Sequence, residues 1–128
     1  MQLLLDTHTL LWWLAGKSSL SHEAHVAIAD EANQVFVSAA SAWEIATKHR
    51  IGKLPLVSAV VLDLTKTIQD QGFAELPITM SHGHTAGNLP GPHRDPFDRM
   101  LVAQAMMENL ALISNERIFD NYGVRRLW

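Results

Sequence analysis

Four acids stand where the hydrophobic pattern of this 128-residue chain breaks: Asp6, Glu44, Asp98 and Glu116. Asp6 ends an almost wholly apolar run over residues 1–5, and Glu116 follows the apolar run 110–113. Glu44 and Asp98 fall at the openings of helical patterns. A carboxylate at the end of a buried strand is costly unless it is hydrogen-bonded, paired or bound to a metal. Four such groups together repel one another and raise some of their pKa values. The sequence holds no matching cluster of buried-looking lysines. A hard divalent ion, Mg²⁺ or Mn²⁺, is the economical counter-charge, because all-oxygen sites select such metals. The chemistry such an ion supports is attack of water on a phosphodiester.

Each acid also has a plainer reading. Asp6 can cap the helix that follows it, although Thr7 is equally suited to that role. Ser41-x-x-Glu44 has capping-box spacing, and Glu44 can pair with Lys48 four residues on. Asp95 suits an N-cap, Pro96 the first helical position and Asp98 the third. Lys48, His49, Arg50 and Lys53 form a basic group that fits either a helix C-terminus or a phosphate contact.

The elements that must position these residues read as strand, helix, helix, three times over, closed by a strand. Strands are predicted at 1–5, 34–37, 74–78 and 110–113, with a terminal edge strand at 124–128. Pro77 places the third at an edge. Helices are predicted from residue 7 to Gly16, over 22–31, from 39 or 41 to Arg50, and from Pro55 to Gly72. In the last of these, Val57, Val60, Val61, Leu64 and Ile68 keep helical spacing. A short helix capped by Thr79 or Ser81 runs through Ala86, a Pro- and Gly-rich loop covers 88–94, and a helix spans 95–108. One further turn is expected over 117–121. Alternation of this kind implies a three-layer α/β/α sandwich around a short-stranded, mainly parallel sheet. Right-handed crossovers then bring strand carboxyl ends and the following helix N-termini to one edge. All four acids belong to that edge.

Composition bounds the alternatives. Hydrophobic content of 48% and charged content of 18% describe a folded chain, and the length fits one domain over residues 1–128. No cysteine is present, so disulfides and thiolate metal sites are excluded. Seven histidines raise a zinc site, above all at His82, His84 and His93, but neither a helical i,i+4 pair nor cysteine partners are there. The apolar runs are too short to span a membrane and nothing reads as a signal peptide, so a cytoplasmic protein is expected. A net charge of −3 leaves any nucleic-acid contact to a local basic patch.

Four stretches together resemble the PIN domain, a family of small metal-dependent ribonucleases. They are Leu4-Leu5-Asp6-Thr7-His8-Thr9-Leu10-Leu11-Trp12, Ser38-Ala39-Ala40-Ser41-Ala42-Trp43-Glu44-Ile45, Asp95-Pro96-Phe97-Asp98-Arg99-Met100-Leu101-Val102-Ala103-Gln104-Ala105 and Leu112-Ile113-Ser114-Asn115-Glu116. Their wording, with the Tyr122-Gly123-Val124 ending, is similar to a bacterial branch related to VapC-type toxins. The resemblance implies an endoribonuclease that hydrolyses RNA through Mg²⁺, with Mn²⁺ as a substitute, using a metal-activated water. It implies a cognate antitoxin as partner and a homodimer, with some of Trp12, Trp13 and Trp43 at an interface. Asp6, Glu44 and Asp98 match the family's three most regular acids. Glu116 stands where an aspartate is usual, and Asp120, four residues on, is its alternative. Ser114 and Asn115 would support the water shell of the metal.

Two other classes compete. An aspartyl-phosphate phosphatase needs a second Asp two residues after the first, and that position is His8. A catalytically inactive PIN-like binding module would keep the fold and its partner surface without turnover.

Overall fold

The computed structural model describes residues 1–54 and 63–128, and its centre is the strand β1 (Gln2–Leu5). Leu3, Leu4 and Leu5 are each fully buried. Leu3 and Leu5 point into one core with Leu10, Ile28, Val35, Val37, Ile45 and Ile68. Leu4 points the other way, into a core with Leu101, Val102, Leu112 and Phe119. Successive strand residues face opposite sides, so an unbroken apolar run is what a strand covered on both faces requires.

β1 lies in the middle of a five-stranded sheet of order β3-β2-β1-β4-β5, with β2 at Gln34–Ser38, β3 at Ala74–Leu76, β4 at Ala111–Ile113 and β5 at Arg126–Leu127. Every pairing is parallel; Leu5 sits opposite Val37 on one side and Ile113 on the other. The expected sandwich is therefore present, and the carboxyl ends of all five strands share one edge. Among the described residues the helices are α1 (Thr7–Ala15), α2 (His22–Ala29), α3 (Ala39–Arg50), α4 (Leu64–Asp70), α5 (Met80–Asn88) and α6 (Pro96–Met107), followed by a 3₁₀ helix at Arg117–Tyr122. Of the helix expected from Pro55 to Gly72, residues 55–62 lie outside the described residues; α4 supplies the rest and buries Ile68.

The differences from expectation lie at the seams. Asp6, not Thr7, caps α1: its carboxylate accepts from the Thr9 N–H at 2.8 Å. Thr7 is thereby inside the helix, and its hydroxyl is free to face α3. The Ser41–Glu44 capping box does not form, because Ser38 at the end of β2 caps α3 through the Ala40 N–H. The chain turns into helix three residues earlier than the spacing suggested, which carries Glu44 into the second turn. β3 stops at Leu76, since Pro77 has no N–H to continue the ladder. Asp95 caps α6 with Pro96 in its first turn, as the sequence predicts.

Candidate active site

Asp6 is anchored by its backbone before its side chain is considered. Its N–H donates to the Ile113 carbonyl at 3.1 Å, one rung past the end of the β1–β4 ladder. The Thr9 hydroxyl donates to the same carbonyl at 3.0 Å, which locks the first turn of α1 onto β4. The carboxylate, in a residue only 3% exposed, therefore has almost no positional freedom.

Glu44 is equally buried and held at both oxygens. The Thr7 hydroxyl donates to Oε1 at 2.6 Å and lies 3.0 Å from the Ser41 hydroxyl, while Lys48 pairs with Oε2. Burial works against the Lys48 charge, but the Glu44 carboxylate outweighs it and raises the Lys48 pKa; Asp95 and Asp98 add to this at longer range. Lys48 is thus the local counter-ion of an acid, and of the basic group only Arg50 and Lys53 are left exposed.

Asp98, at the third position of α6, accepts a hydrogen bond from His93 Nε2 at 2.9 Å. Its pKa is pushed up to about 6, first by burial and then by the charges of Asp95 and Glu116; His93 opposes the rise. Glu116 is raised too, by burial and then by Asp6, while His8, 3.9 Å away, lowers it. These mutual influences place Asp6, Asp98 and Glu116 in one electrostatic neighbourhood, with Glu44 joined to it through Lys48. Asp120 is elsewhere. It is exposed, bonded to Arg126 at 2.8 and 3.1 Å, and lowered in pKa by that guanidinium. Ser114 is buried and accepts from the Glu116 N–H at 3.0 Å, shaping the turn that presents Glu116.

Three residues stand beside the acids in places that sequence reasoning did not give them. Thr7 supports Glu44; His93 was considered only for zinc; His8 flanks Glu116. Nothing in the sequence flags the first contact, which depends on how α1 packs beside α3. The zinc candidates do not converge: His82 bonds Glu108, His84 lies 3.2 Å from Asn88, and His93 belongs to Asp98.

The PIN domain profile matches residues 3–124. The chain belongs to the PIN domain family. Two related proteins of Mycobacterium tuberculosis are named Ribonuclease VapC22 and Ribonuclease VapC16. The first is 31% identical over 115 residues, covering 89% of this chain and 86% of the relative. The second is 35% identical over 65 residues, 51% of this chain and only 45% of the relative. A crystal structure of VapBC2 from Rickettsia felis bound to a promoter DNA fragment shares the fold at a TM-score of 0.70 and 13% identity. That superposition covers 99% of this chain and 98% of the other. The PIN fold and the VapC-type relationship suggested by the four stretches are thereby established.

Whether a divalent cation suits these residues is a question of donors. Among the described residues no three His, Asp or Glu side chains converge on one point as a ready-made cage. Mg²⁺ does not require one, since it is commonly held by one or two carboxylates with water and substrate phosphate completing the octahedron. The donor set is hard oxygen throughout, and Asp98 and Glu116 are raised first by burial and then by neighbouring acids. The residues fit such an ion.

Proposed function

We propose that this PIN domain protein is a Mg²⁺- or Mn²⁺-dependent endoribonuclease, the toxin of a type II toxin–antitoxin pair, acting as a single cytoplasmic domain. The observation that carries the reading is the acid cluster on the carboxyl edge of the sheet, with Asp98 raised to about 6 by burial and by neighbouring acids. Asp6 and Asp98 are the first-choice ligands, because neither is neutralised by a lysine; Glu44 and Glu116 complete the set. Bound there, a divalent ion would offset the carboxylates and withdraw charge from the scissile phosphate.

The chain's own residues do the rest. Asp6 is fixed by β4 and by its capping bond, so it presents its carboxylate without reorganisation. Thr7 and Lys48 hold the two oxygens of Glu44 and so orient its carboxylate. Asp98 and Glu116, both raised in pKa first by burial, are placed to accept a proton from an attacking water, and His93 orients Asp98 through its Nε2–H. RNA is the proposed substrate, and the names of the VapC relatives and the toxin–antitoxin complexes with this fold support an antitoxin partner.

The test is cleavage of mixed RNA by purified protein with Mg²⁺ or Mn²⁺, against the same reaction with EDTA. Metal-dependent fragments are expected. Intact RNA in every reaction would support the second reading, an inactive PIN-like binding module. That reading draws on Glu116 in place of an aspartate and on Lys48 already occupying Glu44.

A homodimer is also proposed, and the tryptophans narrow where it forms. Trp13 packs on the core and donates to Gln71 at 2.9 Å, and Trp12 leans on Trp128. Trp43 is different: it is 61% exposed, edge-on to Phe97, with Ile78 and Met80 also exposed. Large exposed aromatics of this kind anchor protein interfaces. Sedimentation at tens of micromolar is expected to give a dimer, and Trp43→Glu a folded monomer. A wild-type monomer, or a Trp43→Glu dimer, would remove this face from the assembly.

A further inference from the structure

Arg99 follows Asp98 on α6, yet its guanidinium turns away from the acids and is committed to backbone. Nε donates to the Ala86 carbonyl at 3.1 Å, Nη1 to that of His93 at 3.0 Å, and Nη2 to that of Leu89. Ala86 lies in the last turn of α5, Leu89 is its C-cap, and His93 lies two residues before Asp95, the N-cap of α6. One planar group therefore grips both ends of the loop.

The loop needs that grip. It runs Pro90-Gly91-Pro92-His93-Arg94, and its two prolines carry no N–H. Among the described residues, no backbone–backbone hydrogen bond involves residues 90–94. Within the loop Gly91 has a φ of +97°, a left-handed backbone that a side chain there would strain. Its last functional side chain is His93, whose Nε2 meets Asp98 Oδ2 at 2.9 Å with both side chains largely shielded from solvent. An ionised carboxylate only accepts, so His93 is the donor.

We propose that Arg99 is a positioning residue of the acid site: by clamping the 89–94 loop it holds His93 against Asp98 and so fixes the orientation of that carboxylate. The proposal rests on the reading of Asp98 as a functional acid. Among the described residues Arg99 forms no ion pair, so its role is geometric and its fork matters more than its charge. Lysine offers a single ammonium and cannot reach three carbonyls in one plane.

The test uses the full chain at pH 8 with Arg99→Lys, His93→Ala and the double variant, each first shown to melt cooperatively. Two readouts are independent of catalysis: solvent exchange of the His93 Nε2–H by NMR, and Mn²⁺ affinity by calorimetry. Arg99→Lys is expected to speed His93 exchange at least about tenfold and to weaken Mn²⁺ binding by on the order of 10-fold, the usual effect of losing an outer supporting contact. His93→Ala, which leaves the contact between Arg99 and the residue-93 carbonyl available, should weaken Mn²⁺ equally. The double variant should be no worse than either single one, because the two act in series. His93→Gln, which restores a donor, should recover part of the loss. Additive losses, or unchanged His93 exchange in folded Arg99→Lys, would overturn the proposal. Should the wild type bind no Mn²⁺, the metal reading falls while His93 exchange still decides for or against the clamp.

Discussion

Asp6→Asn is expected to lower RNA cleavage by on the order of 100-fold or more, while folding stability stays within about 1 kcal/mol of the wild type. The two halves of that expectation come from two functions of one carboxylate. As a cap, Asp6 accepts the Thr9 N–H through one oxygen, and asparagine caps helices as well as aspartate does. Its backbone bond to Ile113 is indifferent to the side chain. As a ligand, it loses a full negative charge and a strong metal–oxygen donor. If capping were its whole role, activity would be unchanged. In cells, wild-type expression without a partner is expected to arrest growth and leave cleaved RNA, whereas Asp6→Asn at matched soluble levels leaves RNA intact. Arrest that persists unchanged in Asp6→Asn would trace toxicity to binding or aggregation and would sink the catalytic reading of this acid.

The clarity with which Asp6 can be singled out has a physical origin. A strand buried on both faces must be apolar throughout, so the residue that breaks the run marks the sheet edge without ambiguity. The same logic made β2 and β4 legible, and with them the parallel sheet, since short apolar strands separated by helices have few other solutions. Asp98 was legible for a different reason: Asp95 and Pro96 mark the start of α6 so strongly that the register of position 98 follows.

Side-chain partners were not legible, because they depend on registers between elements distant in sequence. Thr7 looks like a cap in isolation; only the packing of α1 beside α3 gives its hydroxyl to Glu44. Ser41 and Glu44 have capping-box spacing, but Ser38 lies one turn earlier and is better placed, with its hydroxyl also donating to the buried Gln104 at 2.5 Å. Local patterns propose several caps, and tertiary contacts choose one. Asp120 and Glu116 were indistinguishable for the same reason. What separates them is Arg126 on β5: the terminal edge strand was expected over 124–128, but not which acid its arginine would meet. The zinc site that the sequence disfavoured for want of an i,i+4 pair and cysteines does not form among the described residues: His82, His84 and His93 meet Glu108, Asn88 and Asp98 separately.

Asp98→Asn is expected to do what few inactivating substitutions do, and stabilise the protein that it disables. In the fold the carboxyl titrates near 6, raised from an ordinary value of 3.8 by burial and by the charges of Asp95 and Glu116. Between about pH 4 and 6 the folded chain therefore keeps a proton that the unfolded chain has released, and stability falls as pH rises through that window. Above it the loss is complete and constant. Glu116, also raised, adds to the same trend. Asparagine keeps an acceptor for His93 and removes the charge, so at pH 8 the variant should be more stable by about 1–2 kcal/mol, allowing for the solvent that still reaches the site. Near pH 4 the advantage should vanish, since aspartic acid there is neutral as well. Added Mn²⁺ at pH 8 should raise the melting temperature of the wild type and leave that of Asp98→Asn nearly unchanged, because a ligand stabilises only a fold that binds it. The opposing force is the helix dipole, which favours a negative charge in the first turn of α6 by about 0.3–1 kcal/mol. The sign of the measured difference at pH 8 decides between them. A destabilised Asp98→Asn would mean that the charge is already balanced by the dipole and His93, and that Asp98 is a structural residue of the helix start with no unmet demand for a cation.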